Sequence, residues 1–215
     1  MIENNGVDKE TLNRAFDARF PRQVKEKLSA AYVGVAGLGG LGSNIAVMLA
    51  RSGVGHMTLV DFDVVDVTNL NRQAYMISHV GKEKTKALKE ILFEINPYLD
   101  YKFACVKVTP DNVKDLFEGS HIVCEAFDKP EQKAMLVQEV LSQLRDTIVV
   151  SGNGMAGFDD ANEIRTKKMM SRLYVCGDQK TDITDGIGLM APRVNLCAAH
   201  QANKVIELIL KNNQI

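Results

Sequence analysis

The feature that most constrains this chain is Gly37-Leu38-Gly39-Gly40-Leu41-Gly42. It comes after the apolar run Tyr32–Ala36 and precedes a helix-forming run, Asn44–Arg51, stopped at Gly53. Glycines at this spacing let a strand turn tightly into a helix and let backbone approach a phosphate, which the helix N-terminus then faces with unpaired N–H groups. Asp61 ends a second apolar strand, Met57–Val60, and lies 19 positions after Gly42. An acid at that place can accept hydrogen bonds from an adenosine ribose. The motif alone leaves NAD and ATP both open. It is not a Walker loop, because it lacks the Gly-Lys-Ser/Thr ending.

The rest of the chain alternates in the same way. Apolar positions predict a helix over 82–96, a strand over 101–108, a short helix from Pro110 to Phe117 and a strand over 122–126. A helix opened by Pro130 carries Met135, Leu136, Val140 and Leu144 on one face, and a strand over 147–150 comes after it. Strands alternating with helices imply a Rossmann-like, doubly wound, mainly parallel sheet. After Ser151 the rhythm changes. Residues 151–160 and 178–188 read as polar loops, 163–168 and 172–176 as a small antiparallel extension, and 191–210 as a closing helix. The expected organisation is one domain over 1–215: a helical arm over 1–30 broken at Pro21, a core over 31–151, and a C-terminal extension over 152–215.

Composition narrows the partners. Lys and Arg total 26 against 27 Asp and Glu, a net charge of −1. That lacks the basic excess of a dedicated nucleic-acid binder. Residues 28–50 carry no charge and are long enough to span a bilayer, but five glycines split the run into strand, loop and helix, so no membrane span is expected. The N-terminus shows no secretory pattern. The four cysteines, Cys105, Cys124, Cys176 and Cys197, form no Cys-x-x-Cys pair, so no zinc is expected. A reducing, cytoplasmic setting is the simplest reading. Cys105 and Cys124 sit in apolar runs and read as core. Cys176 precedes Gly177-Asp178 in a polar context, where it reads as an incidental thiol.

The segment after the second strand favours ATP. Asp61-Phe62-Asp63 leads to Asn69-Leu70-Asn71-Arg72-Gln73 and then to Gly81-Lys82-Glu83-Lys84. Fixed cations such as Arg72 and Lys84 stabilise charge that develops on phosphate oxygens. Read alone, Lys84 is more simply a solvated helix residue among Lys82, Lys86 and Lys89. Asp128, just past the fourth strand, suits a Mg²⁺ held against a triphosphate, or an N-cap for the Pro130 helix, or both.

These pieces, in this order, resemble the ubiquitin-activating-enzyme-like adenylyltransferases, whose bacterial members include ThiF, MoeB and HesA. The resemblance rests on Gly37–Ser43, Asp61-Phe62-Asp63, Asn69–Gln73, Lys84 and Asp128, with Arg19-Phe20-Pro21-Arg22-Gln23 ahead of the first strand. The tails Leu173–Asp178 and Gly188–Arg193 are most similar to a short ThiF subgroup of thiamine biosynthesis. The resemblance implies ATP-dependent adenylation of the C-terminal Gly carboxylate of a ubiquitin-like sulfur carrier of the ThiS kind, with pyrophosphate released. It implies that Gly37, Gly39, Gly40, Gly42, Asp61, Asp63, Asn69, Arg72 and Lys84 bind nucleotide, with Asp61 on the ribose, and that Asp128 holds Mg²⁺. It implies a homodimer in which Arg22 reaches the partner's triphosphate. The paired zinc motifs of longer members are missing; some members use a cysteine for sulfur transfer, a role that the resemblance would give to Cys176. Two other classes stay open from the residues: an NAD(P)-dependent oxidoreductase, and a non-catalytic scaffold that binds a ubiquitin-like protein.

Overall fold

In a computed structural model, residues 7–182 and 186–212 are described. Parts of the arm (1–6), of the second polar loop (183–185) and of the C-terminal end (213–215) therefore lie outside the described residues.

The arm folds as α1 (Lys9–Asp17), capped by the Asp8 side chain on Thr11 N, and α2 (Arg22–Ala30), separated at Pro21 as the sequence suggests. Next come β1 (Tyr32–Ala36), α3 (Gly40–Ser52), β2 (His56–Val60), α4 (Lys84–Ile95) and β3 (Asp100–Ala104). After them come α5 (Val113–Phe117), β4 (Ile122–Glu125), α6 (Pro130–Gln143) and β5 (Ile148–Gly152). The chain finishes with β6 (Arg165–Met170), β7 (Leu173–Gly177) and α7 (Ala191–Lys211). Pairing runs β3-β2-β1-β4-β5-β7-β6, all parallel except β6 with β7.

Two departures from the sequence reading have clear causes. Helix α3 begins at Gly40, inside the glycine run, because helical geometry there brings the first-turn N–H groups to the end of β1. Strand β3 stops at Ala104, since β2, its partner, ends at Val60 and leaves residues 105–108 nothing to pair with. Cys105 is consequently exposed rather than core, while Cys124 is fully buried on β4.

The small extension is a correction of degree. Strand β7 pairs parallel with β5, so the β6–β7 hairpin continues the main sheet instead of forming a separate layer. Helix α7 packs on the same face as α3, with Val194, Cys197, Ala198, Val205 and Ile209 buried in a core shared with Ile45 and Leu49. Leu136, Val140 and Leu144 of the Pro130 helix bury on the opposite face with Phe117 and Val149, as the periodicity predicts. Both faces of the parallel strands are thus covered, which is what their continuous apolar runs require. No helix among the described residues is long and apolar enough to cross a membrane.

Candidate functional site

Strand order reverses between β1 and β4, because β1 continues to β2 on one side while β4 and β5 lie on the other. In doubly wound sheets, the crevice beyond the strand ends at such a reversal is where ligands bind. Here it is a cavity of about 830 Å³. Its wall is the glycine loop, and Asp61, Asp63, Asn69, Arg72, Lys84 and Asp128 all border it. These sequence-predicted groups, from five segments counting the glycine loop, are thus brought together; Gly42, Cys176 and Arg22 do not line the cavity.

The loop's shape explains its composition. Gly37 has φ +88°, and a Cβ there would stand 2.8 Å from the Ala126 carbonyl oxygen at the end of β4. A Cβ on Gly42 would fall 1.8 Å from the Gly37 carbonyl oxygen, so the first turn of α3 can close on the loop only if this residue is glycine. Ser43 and Asn44 then fasten the Arg72 segment. Ser43 Oγ accepts from Ala74 N at 3.1 Å, and Asn44 Nδ2 donates to the Arg72 carbonyl at 3.0 Å.

Asp61 is buried and both its oxygens accept backbone bonds, from Leu38 N at 2.6 Å and Asp63 N at 2.8 Å. It therefore anchors the loop in addition to any contact with a ribose. Lys84, the first residue of α4, is only 7% exposed, with Nζ 3.1 Å from Asp63 Oδ2 and 3.9 Å from Asp61 Oδ2. It is not one of the solvated lysines. Lys86, by contrast, is exposed and pairs with Glu83. The Asn69 side chain accepts from Asp66 N in a reciprocal cap, and Arg72 donates to Thr68 O and Asn71 Oδ1, which shapes the segment between them.

Asp128 is exposed at the cavity rim. It is not the N-cap: that position is Lys129, and no side chain caps α6. A carboxylate at the rim of such a cavity suits Mg²⁺, which commonly takes one or two carboxylates plus substrate phosphates. No group of three or more His, Cys, Asp or Glu among the described residues could hold a metal unaided.

One expectation is revised. Cys176 is not in a polar loop. It is fully buried on β7, and burial pushes its thiol up to about 11, the reverse of thiolate activation. Arg22, which the resemblance gives to the partner's site, lies outside its own chain's cavity. Its side chain is 89% exposed and pairs with Glu26 one turn along α2.

Sequence reasoning passed over three residues. Lys133 of α6 borders the cavity, donating to the wholly buried Glu125 at 2.8 Å and to the Phe127 carbonyl at 3.0 Å. Glu125 also accepts from Phe127 N and Ser151 Oγ, so this pair fixes the loop leading to Asp128. Gln73 stands beside the glycine loop with its side-chain oxygen buried and unpaired. Tyr75 packs beneath that loop. Gln73 lay within a legible motif, but nothing local distinguishes Lys133 or Tyr75 from ordinary helix and core residues.

A doubly wound sheet with a glycine loop, two cations and carboxylates round one crevice defines a nucleotide-binding class of α/β protein. The chain belongs to the ThiF family, whose profile matches residues 12–215. Among its relatives, the tRNA threonylcarbamoyladenosine dehydratase of Bacillus subtilis is 38% identical over 137 residues, 63% of this chain and 53% of that one. An adenylyltransferase and sulfurtransferase of Yarrowia lipolytica is 29% identical over 189 residues, 81% of this chain and 45% of that one. The molybdopterin-synthase adenylyltransferase of Salmonella typhimurium is 29% identical over 200 residues, covering 91% and 79%. The chain spans about half the length of the first two. Two solved structures share the fold. E. coli tRNA N6-threonylcarbamoyladenosine dehydratase with AMP superposes with TM-score 0.85 at 22% identity, over 97% of this chain and 98% of that one. E. coli MccB with ATP gives 0.68 at 24%, over 98% and 66%.

Proposed function

We propose that this chain binds ATP and adenylates the C-terminal carboxylate of a small ubiquitin-like sulfur carrier ending in Gly-Gly. The observation that carries the reading is the convergence of Arg72, Lys84 and Asp128 on one cavity beside the glycine loop. The glycine loop and Asp61 take the ribose and phosphates. Arg72 and the buried Lys84 neutralise charge on the α-phosphate as the carboxylate attacks and pyrophosphate leaves. Lys84 meets the phosphates by exchanging part of its contact with Asp63, so its charge is already oriented before substrate enters. Asp128 would hold Mg²⁺, which supplies further charge neutralisation on the leaving phosphates.

The carrier is assigned to the ThiS kind, and the pathway to thiamine, on the tails around Asp178 and Arg193. The relatives that act as molybdopterin-synthase adenylyltransferase and as tRNA threonylcarbamoyladenosine dehydratase make the acceptor the point to test. We assign a C₂ homodimer in which Arg22 completes the partner's site. Two observations support it: Arg22 is solvent-facing and away from its own cavity, and Val64, Val67, Met76 and Ile77 leave exposed apolar surface on the segment that borders the cavity.

ATP–pyrophosphate exchange tests the reading. Exchange should require a carrier with a free Gly-Gly terminus and should not be stimulated by NAD. Exchange driven by tRNA and not by any carrier would move the acceptor to nucleic acid. ATP binding without exchange would favour a scaffold.

A further inference from the structure

The phosphate-facing wall of the cavity is backbone, so its chemistry depends on which way each peptide plane is turned. The residue that matters most is Leu38, between the first two glycines. Its N–H donates to Asp61 Oδ2 at 2.6 Å, and its carbonyl accepts from the Tyr75 hydroxyl at 2.8 Å. In a planar trans peptide the carbonyl and the following N–H point in opposite directions. With the Leu38 carbonyl held on Tyr75, the Gly39 N–H points the opposite way, away from Tyr75, and Gly39 itself borders the cavity.

Tyr75 is built for this contact. It is 4% exposed, beneath the glycine loop. Its oxygen also lies 3.4 Å from the carbonyl of Lys84, at the start of α4. It belongs to the segment that carries Arg72, three residues on. One hydroxyl thus links the glycine loop, the Arg72 segment and the helix that presents Lys84. Phenylalanine would fill the same apolar space, so packing alone does not explain the hydroxyl. Burial, aided by the nearby Asp61 charge, raises the phenol far above its ordinary pKa and keeps it a donor.

We propose that Tyr75 is a positioning residue for phosphate binding, its hydroxyl fixing the Leu38–Gly39 peptide so that the Gly39 N–H faces the nucleotide phosphates. The inference rests on the nucleotide reading above. Tyr75 touches no reacting atom and acts through the loop.

The test compares ATP with adenosine, which carries the same base and ribose but no phosphate. In calorimetric titrations of the full chain, Tyr75→Phe should raise the Kd for ATP about fivefold, the worth of roughly one net hydrogen bond, and leave the Kd for adenosine unchanged. Equal weakening of both ligands, or no change in either, would overturn the proposal and leave Tyr75 as a core residue. If the variant fails to fold, the unaltered chain still decides. Its Gly39 amide resonance should move on adding ATP and stay in place with adenosine, and a Gly39 amide unmoved by ATP would reject the assignment. An unaltered chain that binds no ATP at all would remove the nucleotide reading itself, and this inference with it.

Discussion

Arg193 of α7 and Asp178, just past β7, form an ion pair at 2.5 Å with both side chains almost wholly buried. Arg193 also donates to the carbonyls of Asp159 and Asp160, at 2.8 and 3.0 Å. Asp178 accepts from the backbone of Lys180 and Thr181 and from the Thr181 hydroxyl. The pair therefore joins the closing helix to both loops of the C-terminal extension. Those loops, through Gly154, Met155, Ala156 and Thr181, border the cavity.

Removing one partner strands the other charge. Arg193→Ala is expected to cost about 3–5 kcal/mol, the usual result of leaving a buried ion uncompensated. Denaturant unfolding measures it. A loss below about 1 kcal/mol would mean that water enters and solvates Asp178.

The same pair gives an acid dependence. Burial alone would raise the Asp178 carboxyl, but the Lys180 and Thr181 amides, the Thr181 hydroxyl and Arg193 outweigh it and hold it below the ordinary value of 3.8. A group whose pKa is lower folded than unfolded binds fewer protons when folded, so its contribution is full above about pH 4 and is lost as pH falls further. Wild-type stability should drop as pH falls below about 4, and the Asp178→Asn chain should show a shallower drop there.

Arg72→Ala and Lys84→Ala should each lower carrier-dependent pyrophosphate exchange by about 10²–10³, the cost of one pre-organised charge-stabilising donor. Exchange at the wild-type rate in both would sink the assignment of these cations to the α-phosphate.

Asp128→Asn should leave the fold intact, because Asp128 neither caps α6 nor is buried. The amide lacks the charge that Mg²⁺ requires. Half-saturation of exchange by Mg²⁺ should move at least about tenfold higher. An unaltered magnesium titration would take Asp128 out of the metal site.

Mixing Arg22→Ala with Lys84→Ala chains tests the shared site. Each alone should be nearly inactive. A heterodimer of the two holds one site with both defects and one with neither, so activity should return to about half per heterodimer if Arg22 acts across a two-fold axis. Subunit exchange without recovery would confine Arg22 to its exposed, solvent-screened pair with Glu26.

Much of the fold and site was written locally. Tyr32–Ala36, the glycine run and the helix after it are a strand, a turn and a helix whose signals lie within a few residues of one another. The bounds of β1 and the break at Pro21 came out as read. The same holds for the face of α6, where Leu136 and Val140 recur at helical spacing. The shape of the glycine loop is local in part, since the positive φ of Gly37 and the approach of Gly42 to the Gly37 carbonyl lie within a few residues, while the Ala126 carbonyl that also crowds Gly37 arrives from the end of β4.

Tertiary structure decided burial and pairing between distant segments. Lys84 stands in a run of lysines, and only the arrival of Asp61 and Asp63 from the end of β2 makes it a buried, oriented charge. Cys176 precedes a Gly-Asp pair that reads as loop, yet its strand pairs parallel with β5 and takes the thiol into the core. Asp178 and Arg193, Glu125 and Lys133, Leu38 and Tyr75 are likewise partners that no local spacing announces. A side chain's environment depends on which strands become neighbours. That is settled by closing both faces of the sheet under helices, a condition on the whole chain rather than on any segment of it.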